Sequence, residues 1–147
     1  MLIRGMLPQI IVTRPDYERL SALADAAMRN ASAVGEELAA ELDRARIVEA
    51  DEIAPDVVTM HARFTFRDVA HGTTRTVSLV YPGEENIDEG RISILTPMGA
   101  ALLGLSEGQS IALEGRNGAT RSLTVLKLLS QPQGAEAKGV VAVEQRV

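Results

Sequence analysis

The run Ile92-Ser93-Ile94-Leu95-Thr96-Pro97-Met98-Gly99-Ala100-Ala101-Leu102-Leu103-Gly104 does most to limit what this chain can fold into. Ile92 and Ile94 alternate with Arg91 and Ser93, the period of a half-buried strand. Thr96 then stands as an N-cap with Pro97 at the first helical position, where a missing N–H costs nothing. Met98, Leu102 and Leu103 give the new helix an apolar face, and Gly104 can take the left-handed conformation that ends it. A strand that turns straight into one short helix needs a sheet on which that helix packs. By spacing alone the joint carries no function.

What surrounds the joint is aliphatic. Apolar residues make up 46% of the 147, yet aromatics are 3% and tryptophan is absent, so the core is built from Leu, Ile, Val and Ala. With no cysteine, disulfides, thiolate metal sites and a cysteine nucleophile are excluded, which suits a reducing cytoplasm. A net charge of −5 argues against general or sequence-specific nucleic-acid binding, because phosphate binding rests on clustered Lys and Arg. No apolar run reaches the roughly 20 residues that span a bilayer, so no membrane association is expected. Met1 to Leu7 carries one cation, Arg4, and lacks the apolar core and cleavage site of a secretory signal.

Gln9 to Thr13 reads as an extended lead-in, and Thr13-Arg14-Pro15-Asp16 as a helix start. Tyr17, Leu20, Leu23, Ala24, Ala27 and Met28 recur at helical steps, Arg29-Asn30-Ala31-Ser32 breaks them, and Val34, Leu38, Leu42 and Ala45 resume them. Two helices joined by so short a turn lie antiparallel, with a reach of roughly 20 Å. Leu20, Leu23, Leu38 and Leu42 should seal this hairpin, leaving the carboxylates of the second helix mostly in water. After Ala54-Pro55-Asp56 the period becomes two: Ala62, Phe64 and Phe66 face one way, and Val77, Leu79 and Tyr81 repeat the pattern beyond His71-Gly72. Asn117-Gly118 signals a hairpin, and the strand Thr120 to Leu129 changes phase between Val125 and Leu126, the mark of a bulge. The expected fold is α+β: a short N-terminal antiparallel helical hairpin within 1–46, an antiparallel sheet with one short helix over 47–130, and a loosely held tail over 131–147.

No catalytic constellation emerges. His61 sits in a strand run and His71 at a turn, without a second ligand at metal spacing. There is no G-x-S-x-G, and Gly99, Gly104 and Gly108 match neither a dinucleotide fingerprint nor a Walker loop; caps and turns account for all three. The acidic loop with Glu84, Glu85, Asp88 and Glu89 lacks the ligand spacing of an EF-hand. The sequence calls for no cofactor, no metal and no enzyme activity.

The opening stretch, with Gly108 shortly after, resembles the signature of the C-terminal domain of the Gre transcript cleavage factors. Thr96 stands where that signature has Ser, and Gln109 where it has Asp. The resemblance is closer to the Rnk-type regulators of nucleoside diphosphate kinase, carried by Glu41-Leu42-Asp43-Arg44-Ala45, Asp56-Val57-Val58-Thr59-Met60, Leu79-Val80-Tyr81-Pro82 and Gly99-Ala100-Ala101-Leu102-Leu103-Gly104-Leu105. It runs in collinear order from about Gln9 to Pro132.

The resemblance implies an FKBP-like sheet domain and binding at the secondary channel of bacterial RNA polymerase, in competition with Gre factors. In those factors acidic residues at the tip of a long hairpin hold a catalytic magnesium. Here the turn Arg29-Asn30-Ala31-Ser32-Ala33-Val34-Gly35 has no Asp or Glu, and Glu36 and Glu37 lie just beyond it, so transcript cleavage is not expected. Prolyl isomerase activity is not expected either, because such pockets are lined with aromatics and this chain has only Tyr17, Phe64, Phe66 and Tyr81. By the resemblance the partner-binding residues are Thr96, Pro97 and Met98 on the docking loop, with Arg29, Asn30, Ser32, Glu36 and Glu37 at the hairpin turn. Capping alone would also account for Thr96 and Pro97, with Met98 packed inward. Two function classes stand: a non-catalytic polymerase-binding regulator, and an adaptor acting on nucleoside diphosphate kinase or another metabolic enzyme, directly or through expression.

Overall fold

The computed structural model describes residues 7–114 and 119–132. The chain runs β1 (Ile11–Thr13), α1 (Arg14–Arg29), α2 (Ala33–Asp43), β2 (Arg46–Val48), β3 (Arg63–Asp68), β4 (Thr73–Val80), β5 (Arg91–Ser93), α3 (Pro97–Leu102), β6 (Ser110–Glu114) and β7 (Thr120–Ser130). Short 3-10 turns occupy Ala50–Glu52 and Ile87–Glu89.

The hairpin forms where the helical period placed it. Thr13 caps α1 by accepting the Asp16 N–H, and Ser32 caps α2 by accepting that of Gly35. Leu20, Leu38 and Leu42 are buried and Leu23 is partly so. A Cβ on Gly35 would lie 2.7 Å from Ala27 Cβ and 3.1 Å from the Met28 nitrogen, so the two helices touch nearly backbone to backbone just below the turn. One carboxylate departs from the expected solvated face: Glu41 is buried and paired with Arg44 at 2.6 Å. Burial pushes its carboxyl above the ordinary value, against the pull of the Arg44 hydrogen bond and charge.

β1 and β2 pair in parallel, Ile11 to Arg46 through Thr13 to Val48, and so clasp the two legs of the hairpin at its base. Neither strand is long enough to show a period in the sequence.

The main sheet has the order β5-β4-β3-β7-β6. Its β3–β4, β3–β7 and β6–β7 pairs are antiparallel as expected, while β4–β5 is parallel, because the acidic loop carries the chain back to the other end of β4. Phe64, Phe66, Val77, Leu79, Ile111, Leu113, Leu123 and Val125 line the buried face in one continuous core with the hairpin leucines and with Ala101, Leu102, Leu103 and Leu105. The phase change in β7 is two register shifts against β3, which skip Leu126 and Leu129 and turn both outward. The Asn117-Gly118 turn lies outside the described residues, as does the tail from 133 onward. Gln131 is buried and anchored: its amide nitrogen donates to the Ala54 and Val57 carbonyls at 2.8 and 2.9 Å.

Candidate partner-binding site

The joint from β5 to α3 is held by four short-range hydrogen bonds. Ser93 Oγ accepts the Leu95 N–H at 3.0 Å, Thr96 Oγ1 donates to the Ser93 carbonyl at 2.8 Å and accepts the Gly99 N–H at 3.0 Å, and the Thr96 carbonyl accepts the Ala100 N–H at 2.9 Å. Gly99 is neither a cap nor a turn, contrary to its sequence reading. It sits inside α3, where a Cβ would overlap the Ser93 carbonyl oxygen and come within 3.0 Å of Thr96 Oγ1. Gly104 does take the left-handed conformation, φ +81°, and closes the other end of α3 against Ile10 and Ile11.

This joint presents Pro97 outward and leaves Met98 half-buried. Arg75, which the sequence reading missed, lies beside them. It pairs with Phe66 in the β3–β4 register and so shares the phase of Val77 and Leu79, yet it is exposed at the end of the strand. Its Nη1 lies 3.9 Å from Met98 Sδ, and its guanidinium sits 5.8 Å from the centre of the Phe66 ring. The one available signal was a cation in phase with an apolar stripe.

The hairpin turn is equally tight. Asn30 Nδ2 donates to the Ala26 carbonyl, the Ala31 and Ser32 N–H groups donate to Met28 and Ala27, and Ala31 takes a left-handed φ of +60°. Arg29, Asn30 and Glu36 are exposed, while Ser32 and Glu37 are partly covered. Thus Thr96, Pro97 and Met98 sit together on one element, and Arg29, Asn30, Ser32, Glu36 and Glu37 sit on another. Of the second group Glu36 and Glu37 lie on α2, the helix that packs on α3.

A polar seam fixes α1 on the sheet. Asp16 accepts the Met60 N–H at 3.2 Å, and the Arg19 guanidinium lies 3.7 Å above the Tyr81 ring. Burial, with the Asp16 charge adding to it, pushes the Tyr81 phenol up to about 12, so the ring stays neutral and the Arg19 contact is cation–π. His61 is not in a strand: it precedes β3 with φ +65° and pairs with Glu84 at 2.9 Å. His71 pairs with Asp68 at 3.0 Å, and Arg121 joins the same carboxylate. Among the described residues no group of three or more metal-ligating side chains forms, and no helix is long and apolar enough to cross a membrane.

The family model described as "Transcription elongation factor, GreA/GreB, C-term" matches residues 51–130, and that described as "Rnk N-terminus" matches 8–48. The chain is 39% identical over 128 residues to the regulator of nucleoside diphosphate kinase of Escherichia coli strain K12, covering 87% of this chain and 94% of that protein. It is 32% identical over 77 residues to the transcription elongation factor GreA of Syntrophomonas wolfei, 52% of this chain and 48% of that protein. Among solved structures it resembles the prokaryotic transcription elongation factor GreA/GreB from Nitrosomonas europaea, with a TM-score of 0.66, 34% identity, and coverage of 82% of this chain and 98% of that one. Two collinear matches that meet in the linker between hairpin and sheet leave one conclusion: the chain belongs to the Rnk family, in which an Rnk-type N-terminal segment precedes a GreA/GreB C-terminal domain.

Proposed function

We propose that the protein is a non-catalytic transcription regulator that docks at the rim of the RNA polymerase secondary channel, competes there with Gre factors and does not stimulate transcript cleavage. The observation that carries this reading is the rigid β5–α3 joint. It is held by Ser93, Thr96 and Gly99, it presents Pro97 and Met98, and it stands on a domain that matches the GreA/GreB C-terminal family. A helix start fixed in this way offers a preorganised edge with an adaptable apolar contact.

The hairpin tip supports the absence of cleavage. Two-metal or metal-assisted phosphodiester chemistry needs carboxylates converging on one ion. Asn30, Ala31 and Ser32 supply none, and Glu36 and Glu37 are consecutive on α2, where adjacent side chains point about 100° apart. With α1 spanning about 24 Å over its 16 residues, the hairpin is also short. In this reading Arg29, Asn30, Ser32, Glu36 and Glu37 form the second contact surface, and the protein works in the cytoplasm without metal or cofactor.

The name of the Escherichia coli relative favours a second reading, an adaptor that acts on nucleoside diphosphate kinase. Pull-down with purified core polymerase and, separately, with purified kinase decides between them. Retention by polymerase that purified Gre factor displaces supports the first reading, and retention by the kinase alone replaces it. On a backtracked elongation complex, RNA cleavage above background that is lost in Glu36→Gln or Glu37→Gln would overturn the non-catalytic assignment.

A further inference from the structure

We infer that Arg75 is the electrostatic anchor of the docking surface, and that the partner surface seated there presents a carboxylate beside an apolar side chain. This rests on the docking reading of Pro97 and Met98 and names the chemistry of what they meet.

Arg75 is exposed, its guanidinium is held between Met98 Sδ at 3.9 Å and the Phe66 ring at 5.8 Å, and among the described residues it has no carboxylate partner. Its planar fork thus stands at the rim of the apolar contact, where it can meet a carboxylate with two parallel N–H donors. An arginine next to an apolar anchor is the composition of an interface hot spot. The surface continues beyond Arg75 into an open groove of about 390 Å³ shared with Arg63, Thr76 and Ile87. Ile87 is 87% exposed, far more than core packing would leave an isoleucine. Asp88 and Glu89 also line it, with Glu89 already paired to Arg91. The groove thus carries both signs, Arg63 and Arg75 with Asp88 and Glu89, and Arg75 is the cation that reaches Met98. Nucleic acid fits it poorly, since no aromatic lines it and two of its lining residues are carboxylates.

The test is equilibrium binding of the full chain to core RNA polymerase, with melting temperatures to confirm folding. Met98→Asp reports on the docking reading, and Arg75→Glu, Arg75→Gln and Arg75→Lys report on the anchor. The expected result is a loss of about tenfold or more in Arg75→Glu, a smaller loss in Arg75→Gln, and partial retention in Arg75→Lys, which keeps charge without the fork. The gap between wild type and Arg75→Gln should also close as potassium chloride is raised from about 0.05 to 0.5 M. Weak binding by Met98→Asp with wild-type binding by Arg75→Glu overturns the anchor and leaves the docking surface. A gap that ignores salt overturns the carboxylate. Wild-type binding by Met98→Asp removes the docking reading and the anchor with it.

Discussion

Replacing Gly99 by alanine sets two effects of opposite sign against each other. Alanine is the better helix former by about 1 kcal/mol, and Gly99 lies inside α3 without a positive φ, so propensity alone predicts a gain. The added Cβ, however, would overlap the Ser93 carbonyl oxygen and approach Thr96 Oγ1 to 3.0 Å and Ile94 Cα to 3.1 Å. These neighbours cannot easily retreat. Ser93 is paired with Val80 in β5, and the Ile94 N–H donates to the Val80 carbonyl at 2.8 Å, so relief means pulling β5 off β4 or tilting α3 away from the core. Overpacking of this kind costs about 1 to 3 kcal/mol, and the Thr96 cap that goes with it costs about 1 more. After the propensity gain the net should be a loss of about 1 to 3 kcal/mol, a fall of about 3 to 10 °C in melting temperature for a chain of this size. Urea denaturation and thermal melts measure it directly, with Gly83→Ala as reference. Gly83 has φ +98° but open space around it, so its alanine variant should lose only the left-handed penalty of about 1 kcal/mol. Gly99→Ala at or above the stability of wild type, or above that of Gly83→Ala, would refute the reasoning.

Leu38→Ala empties a fully buried site between the helices and should cost about 2 to 4 kcal/mol by urea denaturation. Ala31→Gly relieves a left-handed residue at the hairpin turn and should stabilise by about 0.5 to 1 kcal/mol in the same measurement. At Asp68, burial raises the carboxyl, but the hydrogen bonds and charges of Arg121 and His71 win and hold it below its ordinary 3.8. The unfolded chain then binds the proton more tightly, so this carboxylate stabilises the fold above the ordinary value and the contribution disappears as pH falls through the folded one. Asp68→Asn should therefore narrow the gap between urea midpoints at about pH 6 and about pH 3.

Much of this arrangement is local and hence legible in the chain. Thr13, Ser32 and Thr96 cap within three residues, Phe64 and Phe66 alternate with polar neighbours, and the hairpin leucines keep helical spacing. What stayed hidden depends on residues far apart. Glu41 looks like any solvated helix carboxylate until the tertiary fold covers it. The β1–β2 clasp joins two three-residue strands some 35 positions apart, too short to show a period. Gly99 reads as punctuation, because its close neighbour is a carbonyl six residues back rather than a turn of its own. Arg75 meets Met98 across 23 residues, so its place beside Pro97 could not be read from either segment alone.

The clasp at the base of the hairpin has a mechanical meaning. Both legs enter the body of the molecule, one through β1 and one through β2, and the Ile11 N–H donates to the Gly104 carbonyl at the end of α3. A rod fixed at two feet resists torque that a rod on a single swivel would follow. The Asp16–Met60 bond braces the same rod higher up. Whatever grips the start of α3 therefore sets where the hairpin tip stands, as the two arms of a set square are fixed by its corner.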